Sequence, residues 1–409
     1  MKISMRNQCL VFCLFSIFIS CNNNEVSFKS LIENKNLIKF SINSISDNPS
    51  IEVDSLIDSI YYIKPQVSDN SLIGEYSKIL FEDNKVFILE NSKTNKAVYA
   101  FAMDGRFLFK INARGDGPGE YVSIHDFYID ANNKQVGILD RSQILKYDYK
   151  GKFIGKLDLR KYLVKNIIYN NNFIYAYTYS YCFENKCHNL KVFNMQGELV
   201  YSDYPLEKSL QDFPLASDKI YLNADSDKVF FNSLNNDTIY RFEKDHLTPE
   251  VVVDFAEYKY PDDEFHKLLD KGEDVISELS YLRDSKYALF GINNFSLTSD
   301  YLFTSFLKGY TVYYALFSFK TKNKRIFSSL KPSDNILITP RIIFANDHFI
   351  YSILDAEYLD WHKRHEESLG ITDPHKDFSK TRIDRYNYLL KDINIDDNAV
   401  IAVMKFKSF

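Results

Sequence analysis

Ile144-Leu-Lys-Tyr-Asp-Tyr-Lys-Gly-Lys-Phe-Ile-Gly155 is the middle one of three segments that align with one another without gaps. The others are Val98-Tyr-Ala-Phe-Ala-Met-Asp-Gly-Arg-Phe-Leu-Phe109 and Leu190-Lys-Val-Phe-Asn-Met-Gln-Gly-Glu-Leu-Val-Tyr201. Each segment has a glycine in a turn between two strand-like patterns, where a left-handed backbone favours glycine. These glycines (Gly105, Gly151, Gly197) recur every 46 residues. A period of about 40 to 50 residues with four short strands per unit is typical of a β-propeller blade.

The unit around Gly151 predicts four strands, at Asp126–Asp130, Gln135–Asp140, Ile144–Tyr147 and Lys152–Leu157. Five further units follow the same pattern, at about residues 77–111, 165–204, 218–255, 294–330 and 340–406. The last unit shows only three strands, and Ser59–Lys64 is predicted to supply the fourth. This pairing of the two chain ends closes the ring without an exposed edge. We therefore predict an all-β, six-bladed β-propeller of four-stranded antiparallel blades.

The composition agrees with this fold and excludes several other classes of protein. The 409 residues are 45% apolar and include 33 Phe, 30 Tyr and one Trp. A disordered chain would have few aromatic residues, and Tyr and Phe favour strands. Basic residues number 50 against 55 acidic ones and are spread along the chain. Nucleic-acid binding needs a concentrated basic face, so we expect no nucleic-acid partner.

The N-terminus has the features of an export signal. Lys2 and Arg6 precede an apolar run from Cys9 to Ile19, which is too short to span a bilayer, and Ser20 then precedes Cys21. This arrangement resembles a bacterial lipoprotein signal (residues 1–20), with Cys21 as the lipidated residue that holds the protein on a membrane. A plain secretory peptide and a short membrane anchor are the alternatives. Residues 21–50 are predicted to be a flexible polar tether, and residues 51–409 the propeller.

Two cysteines remain in the predicted propeller, Cys182 and Cys187. In an exported protein, two cysteines that flank a short loop most often form a disulfide, which is our prediction. A metal site with His188 as a third ligand is the alternative. Zinc sites usually need four such ligands, so this alternative is less favoured.

The chain resembles a family of six-bladed β-propeller lipoproteins of bacterial envelopes, related to the TolB-like and NHL-type propellers. This resemblance implies a propeller in the cell envelope, anchored by lipid to a membrane, most often the outer membrane, with the domain in the periplasm or at the cell surface. The chain has Asn398-Ala399 where the family usually has Asn-Pro. The resemblance rests on Lys110–Tyr121, Asp126–Asp130, Asn236–Tyr240, Pro249, Asp254-Phe255 and Asp397–Ile401.

Two insertions, at about 256–290 and 356–391, are predicted to be helical; the first begins with Pro261 and several carboxylates, as helix N-termini prefer. Propeller topology places both insertions and the Cys182–Cys187 loop on one face. Loops at one end of a rigid scaffold commonly carry binding function. The candidate binding residues on this face are Arg114, Asp116, Glu120, Tyr121, Asp140 and Arg141. The alternative is that Arg114, Glu120 and Arg141 form a structural ion-pair network between blades.

Three motifs suggest other chemistry but lack its full pattern. Gly115–Gly119 has no following Lys-Ser/Thr and leads into a strand, so it is not a phosphate-binding loop. His362–Glu366 lacks the spacing of a zinc protease and is interpreted as a solvated helix face. Trp361 could stack on a sugar ring, although packing onto the propeller is the commoner use of such a residue. No metal or cofactor motif is present.

These observations favour a non-enzymatic binding or scaffold module for a protein or glycan partner. The alternative is a carbohydrate-active envelope enzyme, a glycan hydrolase or lyase, that uses carboxylates such as Glu120 and Asp140 near the propeller channel.

Overall fold

A computed structural model describes residues 37–178, 188–205, 221–225, 228–233, 236–243, 246–269, 286–333, 336–338, 344–346 and 349–407. Cys21, Cys182 and Cys187 lie outside these residues, so the predictions of lipidation and of a disulfide stay predictions.

The described chain is built almost entirely of strands. In chain order they are β1 (Ile38–Ser41), β2 (Ser50–Glu52), β3 (Ile57–Ile63), β4 (Lys78–Glu82), β5 (Lys85–Asn91), β6 (Lys96–Ala102), β7 (Phe107–Ile111), β8 (Asp126–Asp130), β9 (Gln135–Asp140), β10 (Gln143–Asp148), β11 (Phe153–Asp158), β12 (Val164–Asn170), β13 (Phe173–Thr178), β14 (His188–Asn194), β15 (Leu199–Pro205), β16 (Tyr221–Asp225), β17 (Lys228–Asn232), β18 (Thr238–Glu243), β19 (His246–Asp254), β20 (Ala288–Leu297), β21 (Tyr301–Lys308), β22 (Thr311–Ser318), β23 (Lys324–Phe327), β24 (Ser329–Lys331), β25 (Phe344–Asn346), β26 (Phe349–Leu354) and β27 (Val400–Phe406).

The strands form six antiparallel four-stranded blades, which confirms the predicted fold. Blades 1 to 5 are β4–β7, β8–β11, β12–β15, β16–β19 and β20–β23, and blade 6 combines β25–β27 with β3. The closure of the ring is also confirmed, because β3 pairs with β27 in the register Ile63 to Ile401 and Ile60 to Met404. The Tyr351 hydroxyl of blade 6 donates to the Ile79 carbonyl of blade 1 at 3.0 Å across this junction.

Aromatic rings fill the space between neighbouring blades. Phe87 of blade 1 lies 5.6 Å from Tyr149 at the outer turn of blade 2, and Tyr128 of blade 2 stacks on Tyr169 of blade 3 at 5.3 Å. Phe87 is fully buried, and burial of such a side chain stabilises a fold by about 1.5–3 kcal/mol. The high Phe and Tyr content therefore belongs to the packing between blades.

One carboxylate joins the inner strands of three blades. Asp126, at the start of β8, is paired with the Lys78 ammonium of β4 and accepts from the Ile167 amide of β12 at 2.8 Å. The Asp126 side chain is buried, so its charge is compensated by these partners. The contacts hold blades 1, 2 and 3 in register around the channel.

The N-terminal part of the described chain corrects the boundary of the predicted tether. Residues 37–50 belong to the propeller body: β1 pairs in parallel with β19, the outer strand of blade 4, and β2 pairs in parallel with β24. Phe40 and Ile42 are buried, and Phe40 stacks on Phe317 of blade 5 at 4.5 Å. Phe40 and Ile42 lie among polar residues, and this polar composition is the reason why the sequence predicts a tether here.

Helices occur mainly in the two insertions, as predicted. No helix of the described residues is long and apolar enough to span a membrane. Among the described residues, the α-helices are α1 (Val53–Leu56), α2 (Asp262–Leu269), α3 (Ala356–Leu369) and α4 (Lys380–Arg385). The same residues include two 3-10 turns (Arg160–Tyr162 and Ala256–Tyr258) and one π-turn (Tyr386–Leu390).

Candidate functional site

Among the described residues, the long connections within blades and between consecutive blades lie on one face of the ring. First and third strands of each blade run away from this face, and second and fourth strands run back toward it. We call it the insertion face; among the described residues it consists of 64–77, 92–95, 112–125, 141–142, 159–163, 233, 236–237, 255–269, 286–287, 309–310, 328–333, 336–338 and 355–399. The described turns on the opposite side are only two to five residues long. The structure thus places the predicted binding residues and both insertions on the same face.

Tyr121 is the internal anchor of the 112–125 loop. Its side chain is fully buried, and its hydroxyl donates to the Lys96 carbonyl at 2.7 Å. Burial raises the pKa of Tyr121, so the hydroxyl stays protonated and able to donate. A second tyrosine, Tyr147, donates to the Gly119 carbonyl at 2.8 Å. Tyr121 therefore positions the loop and has no exposed surface for a ligand, which corrects its predicted place among the contact residues.

Glu120 closes the glycine-rich part of this loop on itself. Its Oε2 accepts from the Gly117 amide at 2.8 Å, and a Cβ at Gly115 would lie only 1.9 Å from the same oxygen. The sequence needs glycine at 115 because the carboxylate occupies that space. An amide that a phosphate-binding loop would offer to an anion thus already holds the protein's own carboxylate.

Asp140 is the second anchor of the loop. Its side chain is fully buried, and it accepts from the Ser123 amide at 3.1 Å and the Ser123 hydroxyl at 2.8 Å. The carboxylate therefore fixes the end of the loop against β9. It is not exposed to a partner, which corrects its predicted role as a direct contact residue.

The remaining predicted residues lie at the surface. Arg141 is half exposed and reaches Asp116 and Asp140, at 3.4 Å in each case. Arg114 is exposed and its guanidinium lies 3.4 Å from the Thr94 carbonyl. The network considered between Arg114, Glu120 and Arg141 is therefore not formed as such: Arg141 binds two aspartates, and Glu120 binds its own loop. Arg114, Asp116, Glu120 and Arg141 are the exposed polar members of the predicted set.

Replacement of Asp140 with alanine should loosen the 112–125 loop. The two Ser123 donors would lose a buried charged acceptor, which typically costs about 1.5–3 kcal/mol. Hydrogen exchange followed by mass spectrometry should show faster exchange in 112–125, with little change in β20–β23. The matched control is Asp116→Ala, since an exposed ion pair contributes only about 0–1 kcal/mol. Equal exchange in the two variants would contradict the anchoring role.

The second insertion is a rigid part of the insertion face. The Asp355 side chain caps α3 by accepting from the Tyr358 amide at 2.7 Å, and Gly370 ends the helix in a left-handed conformation. Leu359 is buried in the core shared with blades 5 and 6, and the Tyr358 hydroxyl donates to the Ile338 carbonyl at 2.6 Å. The helix is thus fixed to the ring along one side.

A buried ion triad joins α3 to α4. Glu366 accepts from Arg385 at 2.6 Å and from Arg382 at 2.9 Å, and all three side chains are at least four-fifths buried. The sequence pattern predicts a solvated face for His362–Glu366, and this prediction is wrong for Glu366, which is buried. Its partners lie 16 and 19 residues further along the chain, a distance that no helical spacing reveals.

Trp361 lies on the outer side of α3 and is 56% exposed, so the expected packing onto the propeller is wrong. His365 stacks on the indole at 5.6 Å with an interplanar angle of 8°, and His362 contacts it edge-on at 4.7 Å. Burial lowers the pKa of His362 to about 4, so this ring is neutral at pH 6 and above. The phase of α3, with Ala356, Leu359 and Glu366 buried, was the signal that could have placed Trp361 outside.

Exposed apolar side chains are concentrated on the insertion face. Among the described residues, eight of the fourteen exposed large hydrophobics belong to this face and the other six to strands: the eight are Val67, Leu72, Val122, Tyr310, Trp361, Leu369, Tyr388 and Ile395. None lies in the short turns of the opposite side within the described ranges. Interaction sites are typically contiguous apolar patches, and these eight side chains share one face but lie on four of its connections. The residues that the structure describes contain no group of three or more His, Cys, Asp or Glu that could hold a metal ion.

One solved structure shares the fold of this chain. A protein of Bacteroides fragilis described as exported is 19% identical, with a TM-score of 0.69 over 91% of this chain and 100% of its own. A member of the DUF4221 family from Bacteroides vulgatus is 8% identical, with a TM-score of 0.48 over 86% of this chain and 97% of its own. No curated protein matches the sequence. The family described as a domain of unknown function, DUF4934, matches residues 36–405.

Proposed function

The chain belongs to the DUF4934 family, and from its insertion face we propose that it is a non-catalytic binding module of the bacterial cell envelope. In this proposal the propeller is a rigid scaffold, and the insertion face contacts a protein or glycan partner. The observation that carries the proposal is that the long connections and most exposed apolar side chains lie on this one face.

The anchored geometry of this face supports a binding role. Tyr121 and Asp140 are the buried anchors of the 112–125 loop, and the Glu366 triad joins α3 to α4. Loops that are fixed before a partner arrives lose less conformational entropy on binding. Arg114, Asp116 and Arg141 then offer polar contacts at the rim, next to the exposed Val122.

Location is part of the same proposal. The signal-like residues 1–20 and the resemblance to envelope propellers support export and lipid attachment at Cys21, with the propeller in the periplasm or at the cell surface. A Cys21→Ala variant should move from the membrane fraction to the soluble fraction. If it stays with the membranes, the lipid anchor is wrong.

An enzymatic role as a glycan hydrolase or lyase has less support from the geometry. Glu120 is bound by its own loop, and Asp140 is fully buried under the Ser123 donors. A general acid or base must reach its substrate within hydrogen-bond distance. Asp140 is not placed for that without rearrangement of the loop it holds, and the exposed Glu120 is held by the Gly117 amide of its own loop.

Site-specific photo-crosslinking tests the binding role in the native envelope. A photoreactive phenylalanine analogue would replace Val122 or Tyr310, both on the insertion face and both exposed. We expect crosslinked adducts of higher mass from both positions. The matched control positions are Ile154 and Val200, which are similarly exposed but lie on outer strands. Adducts from the outer strands alone, or from no position, would contradict the proposal.

A further inference from the structure

Trp361 is the only tryptophan of the chain, and more than half of its side chain is exposed. A large aromatic ring at the surface of an envelope protein needs a physical reason, because the fold gains little from it there. Leu359 packs α3 against the ring of blades and Glu366 joins it to α4, whereas Trp361 lies on the opposite side of the helix. The indole is therefore presented to solvent by a helix whose position does not depend on it.

The conformation of the indole is restrained before any ligand binds. His365 lies parallel to the ring, and His362 meets it edge-on, so two neighbouring rings limit its rotation. The Lys363 ammonium lies 3.4 Å from the Ile393 carbonyl and helps to fix this part of the helix. A restrained aromatic surface costs little entropy when a flat partner stacks on it.

Polar groups border the indole on the same side of α3. Glu357 and Arg364 lie four residues before and three residues after Trp361, positions that share one helix face. Arg364 pairs with Asp360 at 2.9 Å. Together they offer carboxylate acceptors and guanidinium donors beside an aromatic plane. A pyranose ring fits this combination, because its C–H face can stack on the indole while its hydroxyls donate and accept hydrogen bonds.

The charges around the indole select among sugars. Glu357 and Asp360 are acidic, and Arg364 is the exposed base beside them. An acidic sugar would bring its carboxylate toward two carboxylates and gain one cation that is already paired. The balance favours a sugar without charge.

We propose that Trp361, with Glu357, Asp360 and Arg364, forms a stacking site for neutral pyranose units of a polysaccharide. This inference rests on the binding role proposed above and names the ligand class for one part of the insertion face. The proposed ligand is a glycan and not a protein.

The single tryptophan makes the test site-specific, because emission excited at 295 nm comes from Trp361 alone. The lipid-free full-length Cys21→Ala protein would be titrated with cellohexaose, maltohexaose, xylohexaose and mannohexaose, and with polygalacturonate as the acidic probe. We expect a saturable change in emission with at least one neutral hexasaccharide. Calorimetry should then show binding at least about tenfold weaker for Trp361→Ala, and unchanged binding for Phe173→Ala, an exposed aromatic residue of β13 that lies outside the insertion face.

Each other outcome overturns the inference. No response to the four neutral probes excludes the neutral-pyranose site, and tighter binding of polygalacturonate contradicts the charge argument. Retained affinity in a folded Trp361→Ala variant places the glycan elsewhere. If the neutral probes fail while Val122 and Tyr310 still crosslink to a protein, the stacking site is wrong and the binding role stands. If both experiments fail, both are wrong.

Discussion

Replacement of Glu366 with glutamine should destabilise the second insertion by about 3–5 kcal/mol, the usual cost of breaking a buried ion pair from one side. The carboxylate neutralises two guanidinium groups, of which Arg385 is 6% and Arg382 is 14% exposed at the side chain. Glutamine keeps the size and one acceptor oxygen but removes the charge, so both cations would lose their buried counter-charge.

Trp361 reports on this change directly, because it lies on the same helix as Glu366. Urea denaturation followed by its fluorescence should show a lower midpoint for Glu366→Gln than for the parent protein. Glu357→Gln is the matched control on the exposed side of α3, with an expected loss below about 1 kcal/mol. Equal midpoints for the two variants would show that the triad does not hold the insertion.

The propeller itself could be predicted from the sequence because its signals are local and repeated. The 46-residue spacing of Gly105, Gly151 and Gly197 marks one turn per blade, and alternation marks the strands beside it. Even the closure by Ser59–Lys64 followed from counting strands in the last unit, and β3 confirms it within two residues. Each repeat carries the same turn and strand signals independently, so one degraded blade does not change the predicted fold.

The incorrect predictions of exposure and of the tether boundary have a common physical cause. Asp140 and Tyr121 carry polar atoms, which suggested exposure, but both are buried by contacts within the 112–125 loop and with its neighbouring strands. Glu366 and Phe40 depend on partners far along the chain. A single sequence gives residue type and spacing, whereas burial of a polar side chain is decided by which distant group meets it.

The insertion face combines two kinds of residue that a sequence does not separate. Residues of the first kind are buried and fix the loops: Tyr121, Asp140 and Glu366. Residues of the second kind are exposed on those loops and on α3: Arg114, Asp116 and Trp361. Substitution of the first kind should change both stability and binding. Substitution of the second kind should change binding alone, so a stability measurement on each variant assigns a residue to its class.

The repeated glycine turns also pack one blade against the next, and this leads to a graded prediction. Gly105 lies against Lys64, the residue that follows the outer strand of blade 6, and the Gln66 amide donates to the Gly105 carbonyl at 2.8 Å. A Cβ on Gly105 would lie 1.9 Å from the Lys64 carbonyl oxygen. At Gly197 the nearest atom, Leu159 Cδ2, is 3.6 Å away. The two turns share a left-handed backbone, with φ of +89° and +84°, and differ in the space beside it.

Gly105→Ala should therefore cost about 2–5 kcal/mol, from about 1–2 kcal/mol of left-handed strain plus about 1–3 kcal/mol of overpacking against backbone. Gly197→Ala should cost only the left-handed strain, about 1–2 kcal/mol. Urea denaturation followed by far-ultraviolet circular dichroism measures both, and the two substitutions are chemically identical controls for each other. Since the backbone of Lys64 cannot rotate away as a side chain could, relief would require blades 6 and 1 to separate at the ring closure. Equal losses at the two positions would mean that the junction yields without cost, and that the glycine repeat reflects turn conformation alone.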